Sequence, residues 1–456
     1  MCDSTEPEPE MIPKIKCKSY MNSCTANTRT LKDGFCHKCK ELPPTVSIRN
    51  TLFCKKCFQD SVIHRFRTNV MKLKLVPKQP RVLLAFSGGP SSRCMLDLMS
   101  SFSAIDPTHI QRKPRYPYLH YCHVDQSSVL KNPTLTVEVE NLFQKLKVDY
   151  SIVKLESIFE AAPTSLSMKD SPTVQLEVSN QEPALDRLTQ SMNSLTSLSS
   201  KEDILNIYTL QALHAQAKKQ NCNVIFLGDN STLLAIRVIS NTSKGRGLNL
   251  PSDMAVETVI DDMLVVRPIR DILAKEVAFY NRYRNLEHFL HPSLTTTMNS
   301  KASIDKLTAD FINGLESEFP STVSTITRTA FKIKSHVAES ENVNCPICNG
   351  PIDSASGFSK IESAKITDTN PMEQKGENGC DDCDCNDTNG TCSIDQLQSA
   401  PLVICYACKN ITQEIKKTET SKALFPNGMF EKAVTSSRRA HLRNEIAEFL
   451  LTDEDN

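Results

Sequence analysis

Cys36 and Cys39 form one C-x-x-C pair, Cys54 and Cys57 another, and 14 residues separate the two. A knuckle turn aims two thiolates three residues apart at one point. Two such pairs complete a tetrahedral shell with metal–sulfur distances near ~2.3 Å. The spacing predicts a zinc ribbon. Redox dithiols or plain reduced cysteines are the other uses of such pairs, and four thiolates also suit an iron–sulfur cluster. A second set, Cys345/Cys348 and Cys405/Cys408, is interrupted by 56 residues. From Lys365 to Asp395 that gap holds eight acids and two Lys. Such a stretch reads as an extruded loop over about 360–398, and loop closure grows costly only slowly with length, so the knuckles can still meet in a second zinc module. Cys380, Cys383, Cys385 and Cys392 inside that loop have no core-forming neighbours and read as incidental thiols.

A second kind of chemistry is suggested by Ser87-Gly88-Gly89-Pro90-Ser91-Ser92. Two glycines let the backbone approach an anion, and successive N–H groups at a helix start carry partial positive charge. The turn fits neither the GTPase-type nor the dinucleotide fingerprint. A tight strand-to-helix turn would use the same residues for geometry alone. Ser87, Gly88, Gly89, Ser91 and Ser92 are therefore candidate nucleotide contacts. Asp125 joins them because it closes the next strand, although a capping role would suit it equally. His120 and His123 stand three apart on that strand, point to opposite faces and are not expected to share an ion.

The third signal is charge. From Cys54 to Arg81 eight Lys/Arg face one acid, Asp60. Lys55, Lys56, Arg65, Arg67, Lys72 and Lys74 are candidate nucleic-acid contacts by phosphate binding, against the default of a solvated face. A second basic set, Lys244, Arg246, Arg267, Arg270, Arg282 and Arg284, is the weaker candidate.

The elements that must position these groups alternate. Arg81–Phe86, Tyr118–Val124, Tyr150–Leu155, Asn223–Leu227 and Met263–Val266 read as strands, with helices between them. This predicts an α/β fold, a parallel sheet with helices on both faces. The expected organisation is a flexible 1–35, a zinc ribbon at 36–67, an α/β domain at 68–300 with a polar insertion at about 160–201, and a helical 301–340. The second zinc module follows at 341–412, then a C-terminal helix (Arg438–Leu451) and acidic tail within 413–456. The chain of 456 residues has 53 Lys+Arg against 53 Asp+Glu, so any polyanion contact must be local. No apolar run reaches the ~18–20 residues of a membrane helix. The acidic start is unlike a presequence, and a cytoplasmic setting is expected.

The glycine turn after the first strand resembles the PP-loop of ATP pyrophosphatases, and the ribbon ahead of it is similar to their tRNA-thiolating subgroup. Phe53-Cys-Lys-Lys-Cys-Phe58, His64-Arg-Phe-Arg67, Leu227-Gly-Asp-Asn230, Arg267-Pro-Ile-Arg-Asp271, Lys275–Arg282, Phe319–Thr325 and the late cysteine pairs resemble the cytoplasmic tRNA 2-thiolation proteins within it. The resemblance implies a heterodimer with a catalytic PP-loop paralogue. That pair would move sulfur from a thiocarboxylated ubiquitin-like carrier to wobble uridine 34 of tRNA for Lys, Glu and Gln, with ATP and Mg bound by this chain or only by its partner. The sequence departs from active members. Ser91 stands where their loop reads SGG-x-D-S, and no cysteine lies between Cys122 and Cys222. A non-catalytic subunit is therefore expected. An RNA-binding zinc scaffold and an active adenylating enzyme are the alternatives.

Overall fold

The computed structural model describes residues 34–103, 116–160, 184–290, 292–333, 343–352, 364–366, 402–415 and 425–426. The chain divides into two units, Met1–Phe58 and Gln59–Asn456. In the first, strands β1 (Val46–Ile48) and β2 (Thr51–Phe53) pair antiparallel, Val46 opposite Phe53 and Ile48 opposite Thr51. Arg49 and Asn50 both have positive φ, the two-residue turn whose twist matches a hairpin. Helix α1 (Lys55–Met71) starts directly after Cys54 and continues into the second unit. The expected ribbon over 36–67 is thus strand only to Phe53. Its second knuckle opens a helix.

The second unit is built on a six-stranded sheet. Its strands are β3 (Arg81–Ala85), β4 (Tyr118–Asp125), β5 (Tyr150–Lys154), β6 (Val224–Phe226), β7 (Glu257–Ile260) and β8 (Met263–Val266), in the order β5-β4-β3-β6-β8-β7. All neighbours run parallel except β7, which pairs antiparallel with β8. Val82, Leu83 and Leu84 are wholly buried, because a central parallel strand is covered on both faces and so reads as a continuous apolar run. The strands step outward from β3 to β5 and then restart at β6 on its other side. The strand order therefore reverses between β3 and β6, where the carboxyl ends of parallel strands leave a crevice.

Helices α2 (Pro90–Ser103), α3 (Ser127–Leu130), α4 (Thr134–Leu146), α5 (Ala184–Ser194), α6 (Leu198–Lys219), α7 (Ser231–Ser243), α8 (Leu250–Met254) and α9 (Ala274–Arg284) surround the sheet. Strand periodicity sorts the core. Leu83, Cys122, Ile225 and Val265 pack with Leu188 and Met192 of α5 and Ile204, Tyr208 and Leu213 of α6. Tyr121 meets Phe143 of α4, and Phe226 meets Tyr116. The expected insertion at 160–201 is partly overturned, since it is helical from Ala184 onward, whereas 161–183 lie outside the described residues. Its apolar stripe was masked by serines that turn inward, one of which, Ser191, sits 2.8 Å from the Tyr208 hydroxyl.

Helices α10 (Ile304–Glu318) and α11 (Thr322–Ala330) cover α7 through Ile312, Val323 and Ile326. Hairpin β9–β10 (Val343–Asn344, Pro351–Ile352), the pair β11–β12 (Ala364–Ile366, Leu402–Ile404) and helix α12 (Tyr406–Glu414) complete the unit. The acidic loop with Cys380, Cys383, Cys385 and Cys392, and the helix expected at Arg438–Leu451, lie outside the described residues.

Candidate functional site

In the first unit the sulfurs of Cys36, Cys39, Cys54 and Cys57 all lie within 4.8 Å of one another, with Cys39 and Cys54 at 4.0 Å. Four thiolates around one ion at ~2.3 Å stand about 3.8 Å apart. The quartet therefore has the size of a single tetrahedral ion, whereas a cubane cluster would spread its four thiolates over a wider shell. The knuckle is closed by Cys36 N–H donating to the Leu42 carbonyl (2.8 Å) and Lys40 N–H to the Cys36 carbonyl (2.8 Å), and it puts Lys40 at φ +58°. Burial raises the Cys36 thiol, but backbone N–H groups of Cys39, Cys54 and Lys38 outweigh it and hold it at about 6. Burial and the adjoining thiols push Cys57 up to about 12.

The second quartet, Cys345, Cys348, Cys405 and Cys408, converges equally, again with all sulfurs within 4.8 Å and Cys348 to Cys405 at 3.6 Å. The long gap between its pairs does not prevent the meeting. Each quartet could hold a metal ion. The second is seated on the connection after α7. Gly245 has φ +77°, and a Cβ there would stand 2.5 Å from the Tyr406 ring, so the absent side chain leaves room for that ring against the turn. Arg246 faces the thiols. Burial opposes its charge, but Asp203, at 3.0 Å, and the Cys408, Cys348 and Cys405 sulfurs more than restore it.

At the far end of α12, Glu414 closes the amino terminus of α6. It accepts from Ser200 Oγ (2.7 Å), Ser197 N–H (3.0 Å) and the Thr196 N–H and Oγ1 (3.3 Å each). Burial raises its carboxyl, yet the donors of Ser197, Ser200 and Thr196 prevail and hold it below the usual range. A carboxylate at this end also complements the helix dipole.

The glycine turn stands at the carboxyl end of β3. Gly88 adopts φ +83°, and a Cβ on it would stand 2.9 Å from Leu135 Cδ1 and 3.2 Å from Val139 Cγ2. Phe289 N–H donates to the Gly88 carbonyl at 2.9 Å. Apolar side chains of α4 and the segment after α9 thus roof the first glycine. Gly228 lets the next strand's turn touch Ser92, its missing Cβ 3.3 Å from the Ser92 Cα. Ser92 Oγ donates to the Gly89 carbonyl (3.0 Å) and lies 3.3 Å from Ser87 Oγ. Ser91 Oγ accepts from Asn230 Nδ2 (2.8 Å), while Asn230 Oδ1 caps α7 through Leu233 N–H (2.9 Å). Asp125 shares this edge, and its carboxylate accepts from Ser127 N–H at 2.9 Å as a cap for α3. Burial raises that carboxyl, but the Ser127 and Thr136 donors bring it below its ordinary value.

The acid beside this turn that faces inward is Asp229. It is buried against Arg237 (2.7 Å) and Arg267 (3.2 Å), and these guanidinium groups overcome burial and hold its carboxyl low. Nothing in the local sequence marks that triad, since its members come from three elements. His120 lies between Asp149 (2.9 Å) and Ser151 (3.0 Å), while His123 faces the Phe86 carbonyl (2.8 Å). The two histidines point to separate partners. Burial lifts the Cys94 thiol far above its normal value, Cys122 to about 12 and Cys222 to about 11.

The basic candidates divide. Lys55 and Lys56 are exposed in the first unit, and Arg67, Lys72 and Lys74 in the second. Arg65 is half-buried, and its guanidinium makes a bidentate pair with buried Glu276 (2.9 and 2.8 Å), which also caps α9 through Leu273 N–H. The second basic set is likewise structural at its centre. Lys244 is buried between Asp203 and Asp305, Arg246 binds Asp203, Arg267 binds Asp229, and Arg270 stacks 3.6 Å from the Phe331 ring centroid.

Comparison with known proteins follows the same lines. The family described as cytoplasmic tRNA 2-thiolation protein 2 matches residues 303–410, a span from α10 to the last pair of cysteines. Cytoplasmic tRNA 2-thiolation protein 2-B of Xenopus laevis is 27% identical over 92% of this chain and 95% of its own length. Cytoplasmic tRNA 2-thiolation protein 2 of Danio rerio is 28% identical over 92% and 94%. Among solved structures, the U34-tRNA thiolase NcsA from Methanococcus maripaludis with its 4Fe-4S cluster aligns at TM-score 0.49 and 16% identity, covering 72% of this chain and 96% of that one.

Proposed function

The chain resembles cytoplasmic tRNA 2-thiolation protein 2 along nearly its whole length, and on that premise we propose that it is a non-catalytic subunit of a cytoplasmic tRNA 2-thiolation complex. Its relatives carry both the compartment and the reaction in their names. Among the described residues no helix is long and apolar enough to cross a membrane. In this reading it forms a heterodimer with a catalytic PP-loop paralogue. The partner activates wobble uridine 34 of tRNA for Lys, Glu and Gln, and sulfur comes from a thiocarboxylated ubiquitin-like carrier.

The observation that carries the non-catalytic assignment is the carboxyl edge of the sheet. Ser91 offers a hydroxyl, already bonded to Asn230, where a carboxylate would bring charge to Mg²⁺, and Gly88 is roofed by Leu135 and Val139. The thiols in and beside the sheet are not activated either, since Cys122 on β4, Cys94 on α2 and Cys222 before β6 are all raised by burial. Ser87, Gly88, Gly89 and Ser92 keep the shape of a phosphate turn and serve here to join β3 to α2. ATP and Mg then belong to the partner.

The quartets suit zinc. Their sulfurs are spaced for one tetrahedral ion, and four protein thiolates leave no open position for substrate. When bound, the ion supplies cross-linking. Cys36, Cys39, Cys54 and Cys57 tie the first knuckle to the start of α1. Cys345, Cys348, Cys405 and Cys408 tie β9–β10 to α12, and hence Glu414 to α6. Exposed Lys55, Lys56, Arg67, Lys72 and Lys74 meet tRNA phosphates.

Nucleoside mass spectrometry of cytoplasmic tRNA from cells depleted of the protein tests this. Wobble 2-thiouridine should disappear, with its unthiolated precursor rising, and return on re-expression of the wild type and of a Ser91→Ala form. Unchanged thiolation after depletion would overturn the assignment to the pathway. AMP formation by the isolated chain that depends on Ser87–Ser92 would overturn the non-catalytic part.

A further inference from the structure

Two of the three left-handed residues in the described part of the first unit are cations, Lys40 at φ +58° and Arg49 at φ +51°. Both are turn positions that glycine or asparagine occupies without strain, and long side chains seldom sit there. Lys38 lies inside the first knuckle, Lys40 directly after it, and Lys55 and Lys56 inside the second. Each is one or two residues from a sulfur that lies within 4.8 Å of the other three. At 3.8 Å per residue, these four lysines emerge from a region roughly 15 Å across. His37 N–H donates to the Leu52 carbonyl at 2.9 Å and ties the Arg49 hairpin to the same knuckle. All five cations are exposed, and Glu41 is the one acid among residues 34–58.

A bare cluster of lysines would fit any polyanion. This one shares its knuckle with two large apolar side chains left in solvent, Phe35 at 54% exposure and Leu42 at 49%. They flank the bond that closes the knuckle, Cys36 N–H to the Leu42 carbonyl. The main chain at both is therefore fixed by the quartet. An exposed aromatic ring based on the same knuckle as these lysines matches the platform on which unpaired bases stack while their phosphates are neutralised. A duplex, with its bases already stacked on each other, has no use for the ring.

We infer that the first unit is a docking platform for an unpaired stretch of RNA, with Phe35 receiving a base and Lys38, Lys40, Arg49, Lys55 and Lys56 receiving phosphates. This rests on the tRNA reading above and adds to it the kind of RNA segment bound, and Phe35, Lys38, Lys40 and Arg49 as its contacts.

The left-handed positions provide the test. Lys40→Gly and Arg49→Asn remove charge at sites where the new residue fits the backbone better than the old one, so neither should unfold the module. The full chain with its partner subunit is titrated by fluorescence anisotropy with an unmodified tRNA transcript, a single-stranded oligouridine and an RNA duplex of equal length. Zinc content and melting temperature are checked for each variant. Phe35→Ala should weaken oligouridine about fivefold or more and leave the duplex unchanged. Lys40→Gly and Arg49→Asn should each flatten the slope of log affinity against log salt by about one.

If all three variants bind tRNA as the wild type does while Arg67→Gln and Lys72→Gln weaken it, the platform is wrong and the tRNA reading survives. Equal loss on the duplex would refute the stacking role. If the wild-type complex binds no tRNA at all, both fall.

Discussion

Besides the apolar packing of Ile404, Ile411 and Ile415 in the core they share with α6, the second cysteine module caps that helix through the Glu414 carboxylate, so its removal should be felt far from the cysteines. Its two shortest bonds, from Ser200 Oγ and Ser197 N–H, run to a charged acceptor. Bonds of that type are each worth about 1.5–3 kcal/mol when fully enclosed, and charge at a helix start adds about 0.3–1 kcal/mol. Glu414 is only half-buried, and water replaces part of what is lost, so Glu414→Ala should cost about 2–3 kcal/mol locally. That is about 30–140-fold in the opening equilibrium of the first turn of α6. Glu414→Gln keeps one acceptor and should cost about 1 kcal/mol.

Hydrogen exchange read by mass spectrometry on peptides covering Thr196–Leu205 reports that opening directly. The acid dependence has a definite sign. The folded carboxyl lies below its ordinary 4.5, so its stabilisation is complete above that pH and fades as pH falls through the folded value. The gap between wild type and Glu414→Gln should therefore stay constant from neutral pH down to about 5 and close in stronger acid. Unchanged protection of Thr196–Leu205 in Glu414→Ala would refute the claim that the module holds this helix.

Asp203→Asn leaves Arg246 buried without its carboxylate and should destabilise by about 3–5 kcal/mol, read by chemical denaturation, with the second quartet releasing metal to a chelator before the first. Cys348→Ser and Cys39→Ser should each halve the metal found per chain by elemental analysis, and retention of both ions in either would refute the site concerned. Gly88→Ala puts a side chain at φ +83° and should cost about 1–2 kcal/mol; adding Leu135→Ala relieves only the contact, not the backbone conformation. With thiol values near 12 and 11, Cys122 and Cys222 should resist N-ethylmaleimide at pH 8 in the native chain, which peptide mass spectrometry checks.

The central strands and the cysteine knuckles were legible because their signals are local. Val82–Leu84 is apolar throughout since both faces are covered, and C-x-x-C spacing is itself the geometry of a ligand pair. What escaped reading depends on residues that meet only after folding. Arg65, Lys244, Arg246 and Arg267 look like surface charge until Glu276, Asp203, Asp305 and Asp229 are placed beside them. Helix α5 hides among serines because Ser191 and Ser194 are themselves buried. Strand β7 turns into β8 through Asp261 and Asp262, both with positive φ, where no glycine or asparagine announces a hairpin. The carboxylate of Glu414 closes a helix more than two hundred positions upstream, and no motif spans that distance.

That separation has a kinetic side. Ser200 and Glu414 are 214 residues apart. At translation rates of roughly 5–20 residues per second, the amino end of α6 leaves the ribosome about 10–40 s before the group that caps it exists. Cys405 and Cys408 arrive in the same late interval. The nascent sheet must therefore wait, with one face still short of its cover, until Cys405 and Cys408 join Cys345 and Cys348. A chain that stops before residue 405, or a cell short of the ion, would leave an intermediate whose exposed helix start and apolar floor invite chaperones and proteases. Supply of the metal proposed for this quartet would then set how much of the chain matures.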